Sequence, residues 1–277
     1  MDTFRSKLTL VTGGSSGIGL AIATQVLIHQ GNVAILARRP EMLDSAIIEL
    51  EKHRILPEQM IIPIQADVTK VSTLHETLIE LVEKVGLPDI VINSAGVAHP
   101  GNFSATSNEI FHWMMDVNYF GTVNVLKTLV PMMQKRKSGI IVNISSIAGF
   151  IGIYGYTAYG ASKFAVSGFT DSLRAELQPY GIQVSIVFPP DTDTPQLEYE
   201  SKYKPFITKE LGSSTKLQSA ESVAKDIVKQ VSKKRYMIFP GSEGKLLFVA
   251  RNILGGSLYP VMDIMVKSAI KKIKFGS

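Results

Sequence analysis

LTLVTGGSSGIGLAIATQVLIHQG, residues 8–31, is where the architecture is announced. Residues 8–12 are a short apolar run with β-branched members, which suits a buried strand. Residues 20–30 are a longer apolar stretch that suits a helix. Gly13, Gly17 and Gly19 mark a tight turn between them. A strand that turns through glycine into a helix leaves free N–H groups and the positive end of the helix dipole at the turn. Both favour a phosphate. Ser15 and Ser16 add hydroxyl donors, and Ile18 completes the turn. The spacing is G-x-x-x-G-x-G rather than G-x-G-x-x-G, and an ordinary Gly/Ser turn has the same composition. Its place between the first strand and the first helix of a βαβ unit makes Gly13, Ser15, Ser16, Gly17, Ile18 and Gly19 candidate dinucleotide ligands.

The alternation continues along the chain. Short Val/Ile-rich runs recur at residues 32–38, 60–67, 89–96, 139–146 and 182–190, with helical spacing at 41–53, 73–85, 108–133 and 159–178. Strands alternating with helices form parallel βαβ units, and runs that are apolar throughout fit strands covered on both faces. No linker, internal repeat or low-complexity tract interrupts the pattern. The expected fold is α/β, a single doubly wound Rossmann-fold domain over residues 1–240. A differently composed extension follows at 241–277.

Composition bounds the function. The chain has 277 residues, 45% apolar and 19% charged, which is globular rather than disordered. It contains no cysteine, which excludes disulfides and thiolate chemistry. Residues 1–7 are short and polar, so no signal peptide is expected. The net charge of +5 permits anionic partners without choosing among them. The five histidines show no metal-ligand spacing, and no metal is expected. No basic run interleaved with aromatics suggests a nucleic acid partner. Trp113 sits on an apolar helix and reads as packing, whereas His99 lies near the expected cleft mouth.

Two local features sharpen the reading. The second strand ends in Ala37, Arg38 and Arg39, where an NAD site usually carries an acid for the ribose 2′-OH. Arginine suits a 2′-phosphate, so NADPH/NADP+ is favoured, with Arg38 the assigned ligand. Further on, YTAYGASKFAVSGF (residues 156–169) sets Tyr159 and Lys163 four residues apart, on one face of a helix. Either they are surface neighbours, or the lysine is a cation that tunes an acid. A nearby cation typically lowers an acid by about 1 to 3 units.

TGGSSGIG, DVT (67–69), NSAG (93–96), Asn118 in DVNYFG, NISS and YGASK occur in this order. The ordered set resembles the short-chain dehydrogenase/reductase family over about residues 5–240. The resemblance implies one Rossmann domain with a mainly parallel seven-stranded sheet. It implies that Tyr159 gives a proton to a carbonyl oxygen as hydride arrives from the nicotinamide. It makes Lys163 the residue that binds the nicotinamide ribose and lowers the tyrosine pKa. Ser146 would bond the substrate oxygen. Ser145 is adjacent, but the spacing to Tyr159 favours Ser146. Asn118 would hold a water in the proton relay and Asp67 would contact the adenine. Asn93, Ala95 and Gly96 would line the cofactor cleft, with Pro189 and Thr194 near the carboxamide. The family's N-N-A-G reads NSAG here, a change expected to be tolerated. Members commonly form homo-oligomers through helices at 108–133 and 159–178.

FPPDTDTPQLEYE (residues 188–200) bears on the substrate. Its PPDTDTP is similar to the branch of the family that reduces 3-ketodihydrosphingosine, a long-chain 3-keto amino alcohol of sphingolipid synthesis, with NADPH. The resemblance implies a lipid ketone partner, and a proline-rich lid turn without substrate information reads the same. Alternatives are a 3-oxoacyl thioester, steroid or retinoid ketone. A non-catalytic NADP-sensing protein would lack part of the catalytic set. Residues 191–215 should form a flap, with Tyr199, Tyr203 and Phe206 against an apolar chain. In the extension, residues 246–266 are nearly long enough to span a bilayer. However, Arg251 and Asp263 would each cost about 2.5–3.5 kcal/mol at its centre. Gly255, Gly256 and Pro260 should break it. Residues 261–275 read as an amphipathic helix with Val261, Met262, Met265, Ile270 and Ile273 apolar and Lys267, Lys271, Lys272 and Lys274 beside them. Such a helix either lies in a membrane interface or packs on protein. The expected location is the cytoplasm or the cytoplasmic face of a membrane, the endoplasmic reticulum in a eukaryote.

Overall fold

The computed structural model describes residues 3–213 and 217–275. Ser214 and Thr215 of the flap, and the side chains of Ile273 and Lys274, lie outside what is described. The strands are β1 (Leu8–Thr12), β2 (Asn32–Ala37), β3 (Ile61–Gln65), β4 (Ile90–Asn93), β5 (Gly139–Ile144), β6 (Ile182–Val187), β7 (Thr192–Asp193), β8 (Gln218–Ser219) and β9 (Met237–Ile238). The helices are α1 (Gly17–Ile28), α2 (Pro40–Glu51), α3 (Val71–Val85), α4 (Asn108–Met114), α5 (Gly121–Arg136), α6 (Thr157–Leu177), α7 (Pro195–Tyr203), α8 (Phe206–Gly212), α9 (Ala220–Ser232), α10 (Glu243–Leu254) and α11 (Leu258–Phe275).

Seven strands form one sheet in the order β3-β2-β1-β4-β5-β6-β9, every pair parallel. This is the doubly wound arrangement, with the order reversing between β1 and β4. Every residue of β1 and β4 is buried, because helices cover both faces. On one side Val26 and Leu27 of α1, Leu50 of α2 and Ile227 of α9 pack on the sheet. On the other lie Leu78 of α3, Leu129 of α5 and Leu177 of α6. Pro63 is accommodated because β3 is an edge strand. β7 and β8 pair separately beside the last crossover.

The helix expected at 108–133 carries an irregularity. Between α4 and α5 the backbone makes a π turn, Met115–Phe120, which carries Asn118. Such single-turn bulges gather at functional sites.

The C-terminal extension packs on protein through one face. Phe248 of α10 joins Phe150, Phe188 and Phe239 in an aromatic cluster, and Leu258 and Met262 of α11 complete it. Lys272 pairs with Glu210 of α8 at 2.5 Å. The other face is apolar and bare: Leu246, Ile253, Ile264 and Met265 are all exposed. Glu243–Lys272 is long and apolar enough to cross a membrane by length and composition. Gly255, at φ +52° and ψ −127°, separates α10 from α11. Pro260 breaks nothing, because it lies in the first turn of α11, where a missing N–H leaves no bond unmade.

Candidate active site

A cavity of about 1030 Å³ opens at the carboxyl ends of β1, β4, β5 and β6. One end is the glycine turn. A Cβ on Gly13 would stand 2.9 Å from the Ala95 backbone, and one on Gly19 would collide with the Gly13 carbonyl. Only glycine lets the turn lie this close to the sheet. Helix α1 starts here without a side-chain cap and without an acid in its first turn. Neither competes with an incoming anion, so the cradle fits a dinucleotide pyrophosphate. Ser15, Ser16, Gly17 and Ile18 line it as expected.

The two arginines are not equivalent. Arg39 lines the cavity, whereas Arg38 stands on the rim with its side chain 69% exposed, 3.9 Å from the Asp67 carboxylate. Asp67 also accepts from the amide and hydroxyl of Thr69 at 2.9 and 2.8 Å, which fixes the loop after β3.

Ser94, Gly96 and Val97 form the wall after β4. Asn93 does not, which corrects the sequence reading. Its buried amide donates to Asn143 at 2.9 Å, and Asn143 donates to Thr170 of α6 at 3.0 Å. As the last residue of a strand paired on both sides, Asn93 ties β4 through β5 to α6 beneath the cleft floor. Ala95 backs Gly13, and its amide donates to Thr12 Oγ1 at 3.1 Å. Asn118 is buried and fully engaged. Its Oδ1 accepts from the Val97 amide at 2.7 Å, and its Nδ2 donates to the Val97 carbonyl at 2.9 Å and to Ser162 Oγ at 2.8 Å.

Tyr159 and Lys163 sit together on α6 at the far end of the glycine turn, with Lys163 Nζ 5.7 Å from the tyrosine ring centre. Ser146 is within hydrogen-bonding reach of the Tyr159 hydroxyl. Ser145 instead donates to the Lys163 carbonyl at 3.0 Å and meets Ser167, so it holds α6 to β5. Lys163 Nζ donates to the Ile144 carbonyl at 3.0 Å. Burial lowers its pKa to about 8. The Tyr159 pKa is raised, by burial first and by the charge of Glu200 second. The sequence reading had Lys163 lowering it. The protein's own groups do the reverse, because both side chains are taken out of water and a carboxylate stands nearby.

Pro189, Pro190 and Thr194 line the cavity where β6 ends. Thr194 accepts from the Leu197 amide at 3.3 Å, capping α7, and packs against Gly17. The flap thus begins against the glycine turn. Tyr199 lines the cavity, but Tyr203 and Phe206 do not. Tyr203 packs against His99 with the rings tilted by 43° and their centres 4.3 Å apart, and His99 bonds the Tyr199 hydroxyl at 2.9 Å. His99 therefore latches the flap and does not line the cavity. Trp113, read as packing, does line the cavity, where Ile147, Ile153, Leu197 and Leu247 make this end apolar.

Glu200, Gln196 and Tyr156 were not singled out from the sequence. Tyr156 donates to Glu200 at 2.6 Å and Gln196 donates to its other oxygen at 2.9 Å. Burial raises the Glu200 pKa. The available signal was the i, i+4 spacing of Gln196 and Glu200 beside Tyr199 in α7.

The sequence profile described as short chain dehydrogenase matches residues 7–204. The chain is 36% identical to the 3-ketodihydrosphingosine reductase of Bos taurus, over 92% of this chain and 76% of that protein. It is 38% identical to the 3-dehydrosphinganine reductase of Danio rerio, over 86% of this chain and 72% of that one. Among solved structures it is similar to a short-chain dehydrogenase from Sphingobium yanoikuyae in complex with NADPH. That likeness has a TM-score of 0.76 and 25% identity, over 93% of this chain and 95% of the other. With this sheet order, this glycine cradle and these matches, the chain belongs to the short-chain dehydrogenase family.

Proposed function

We propose that the protein is an NADPH-dependent reductase of 3-ketodihydrosphingosine, yielding dihydrosphingosine. The observation that carries this reading is the identity of 36–38% to vertebrate reductases of that name over most of the chain. Gly13 to Gly19, Arg39 and the rim pair of Arg38 with Asp67 would hold NADPH, which when bound would supply the hydride for the ketone carbon. Tyr159 gives its hydroxyl proton to the ketone oxygen, and its raised pKa keeps it protonated until that oxygen turns basic. Ser146 donates a hydrogen bond to the same oxygen. Lys163 holds the nicotinamide ribose. Asn118 sets the loop around Val97, so any water it holds in a relay rests on its main-chain carbonyl. Pro189 and Thr194 would bound the nicotinamide carboxamide, and Gly96, backed by Ala95, would lie along the cofactor.

Residues 1–240 act as the catalytic unit, with 191–215 its flap and 241–277 its extension. The bare apolar face of α10 and α11, beside Lys267 and Lys271, lies on the cytoplasmic face of a membrane, which holds the substrate. Exposed Phe120 and Phe164, on the helices at 108–136 and 157–177, support a homo-oligomer, and a light-scattering mass of one chain would remove that reading.

The test is NADPH oxidation with 3-ketodihydrosphingosine in detergent, against NADH and an acetoacetyl thioester in parallel. The expected result is turnover specific to NADPH and to the sphingoid ketone. Turnover of the thioester alone would overturn the substrate and keep the chemistry. Tyr159→Phe is expected to lose at least about 100-fold in kcat with NADPH binding retained. Persisting turnover would put the proton donor elsewhere.

A further inference from the structure

Among the described residues Glu200 is the only buried carboxyl group, 6% exposed, and it lines the cavity that holds Tyr159. A carboxylate taken from water needs compensating charge. Its hydrogen-bond donors, Tyr156 and Gln196, are neutral. The lysines nearby are engaged otherwise. Lys204 pairs with Asp191 at 3.4 Å and Lys163 bonds the Ile144 carbonyl. Among the described residues no cation stands within ion-pair distance of Glu200. A buried carboxyl group with no ion-pair partner, facing a cavity and reached by Lys204 and Lys163 only through space, is a site for a cationic ligand.

Its position narrows the ligand. Gln196 bonds Glu200 and is also within hydrogen-bonding reach of Tyr159, so the carboxyl group stands one side chain away from the proton donor. A substrate whose carbonyl met Tyr159 would carry a cation on the adjacent carbon toward Glu200. We infer that Glu200 is the recognition group for the protonated amine of a 2-amino-3-ketone, and that it selects such substrates over ketones without an amine. This rests on the proposed reductase reading and deepens it, since the thioester, steroid and retinoid alternatives carry no such amine. Tyr156 and Gln196 orient the carboxylate, and Trp113 and Leu247 face the apolar chain.

The experiment compares 3-ketodihydrosphingosine with the matching 1-hydroxy-3-ketone lacking the amine, both with NADPH, on wild type, Glu200→Gln and Glu200→Asp. A charge-assisted bond in a dry site predicts a wild-type kcat/KM roughly 10- to 100-fold higher for the amine. In Glu200→Gln that ratio should fall to about two or below, over and above any common change in both ketones that comes through Tyr159, whose pKa Glu200 raises. Glu200→Asp, which keeps the charge, should recover part of it. Equal loss on both ketones would make Glu200 a structural support of the flap and overturn the inference. So would wild type reducing both equally well, while leaving the reductase reading intact. Wild type inert toward both would overturn the reductase reading and this inference with it.

Discussion

Tyr159 and Lys163 form a pair whose charges are set by burial rather than by each other. Lys163 is 5% exposed and its pKa falls from 10.5 to about 8. Between those values the folded chain binds fewer protons at this site than the unfolded chain. The site's contribution to stability therefore rises with pH across about pH 8 to 10.5. Lys163→Met removes the titration, so wild type should gain on this variant in urea unfolding between pH 8 and pH 10. Parallel stabilities would mean that the ammonium is not desolvated. The proposed catalytic set came from the ordered motifs of the family resemblance rather than from spacing, and the fold brings Ser146, Tyr159 and Lys163 to one cavity. Glu200 was not singled out, because it is one of several acids in the flap and only the fold shows that it alone of them is buried. The direction of the Tyr159 shift was misread for the same reason: local spacing sees Lys163, while Glu200 reaches the tyrosine only through tertiary structure.

The π turn between α4 and α5 shows how an irregular element serves the cleft. Asn118 spends its whole side chain on Val97 and Ser162. Asn118→Ala would remove three hydrogen bonds, to the Val97 amide and carbonyl and to Ser162. It should destabilise the protein by about 2–4 kcal/mol in denaturant unfolding and lower kcat, since the Gly96 wall is what these bonds hold. A variant as stable as wild type would show that water replaces the amide. The helix over this stretch was legible from its apolar period, but the π turn was not, because one extra residue in a long helix barely disturbs that period. The flap was legible as an insertion after Pro189–Pro190. Its latch, His99 against Tyr199 and Tyr203, was not, because those partners lie about a hundred residues apart.

The sheet follows from alternation alone: six apolar runs in the sequence became β1 to β6. The two-residue strands β7, β8 and β9 are too short to carry a period, and only the family resemblance supplied a seventh strand for the sheet. The extension was open between membrane and protein contact; one face packs on protein and the other is apolar and bare. Phe248 and Met262 pack inward, and Leu246, Ile253 and Ile264 face out. Replacing those three outward residues by glutamate should cut sedimentation with anionic lipid vesicles by about tenfold or more while leaving detergent-phase turnover unchanged. Equal sedimentation would mean that the bare face serves another purpose.

Leu247 lines the cavity and its neighbour Leu246 points outward from the same turn of α10. The wall of the substrate chamber and the outer apolar face are thus one helix, one residue thick. With the outer face docked on a membrane as proposed, the enzyme would sample its lipid by collision within a two-dimensional phase. Its rate should follow the mole fraction of ketone among the surrounding amphiphiles, and adding inert detergent at constant total ketone should slow it by surface dilution.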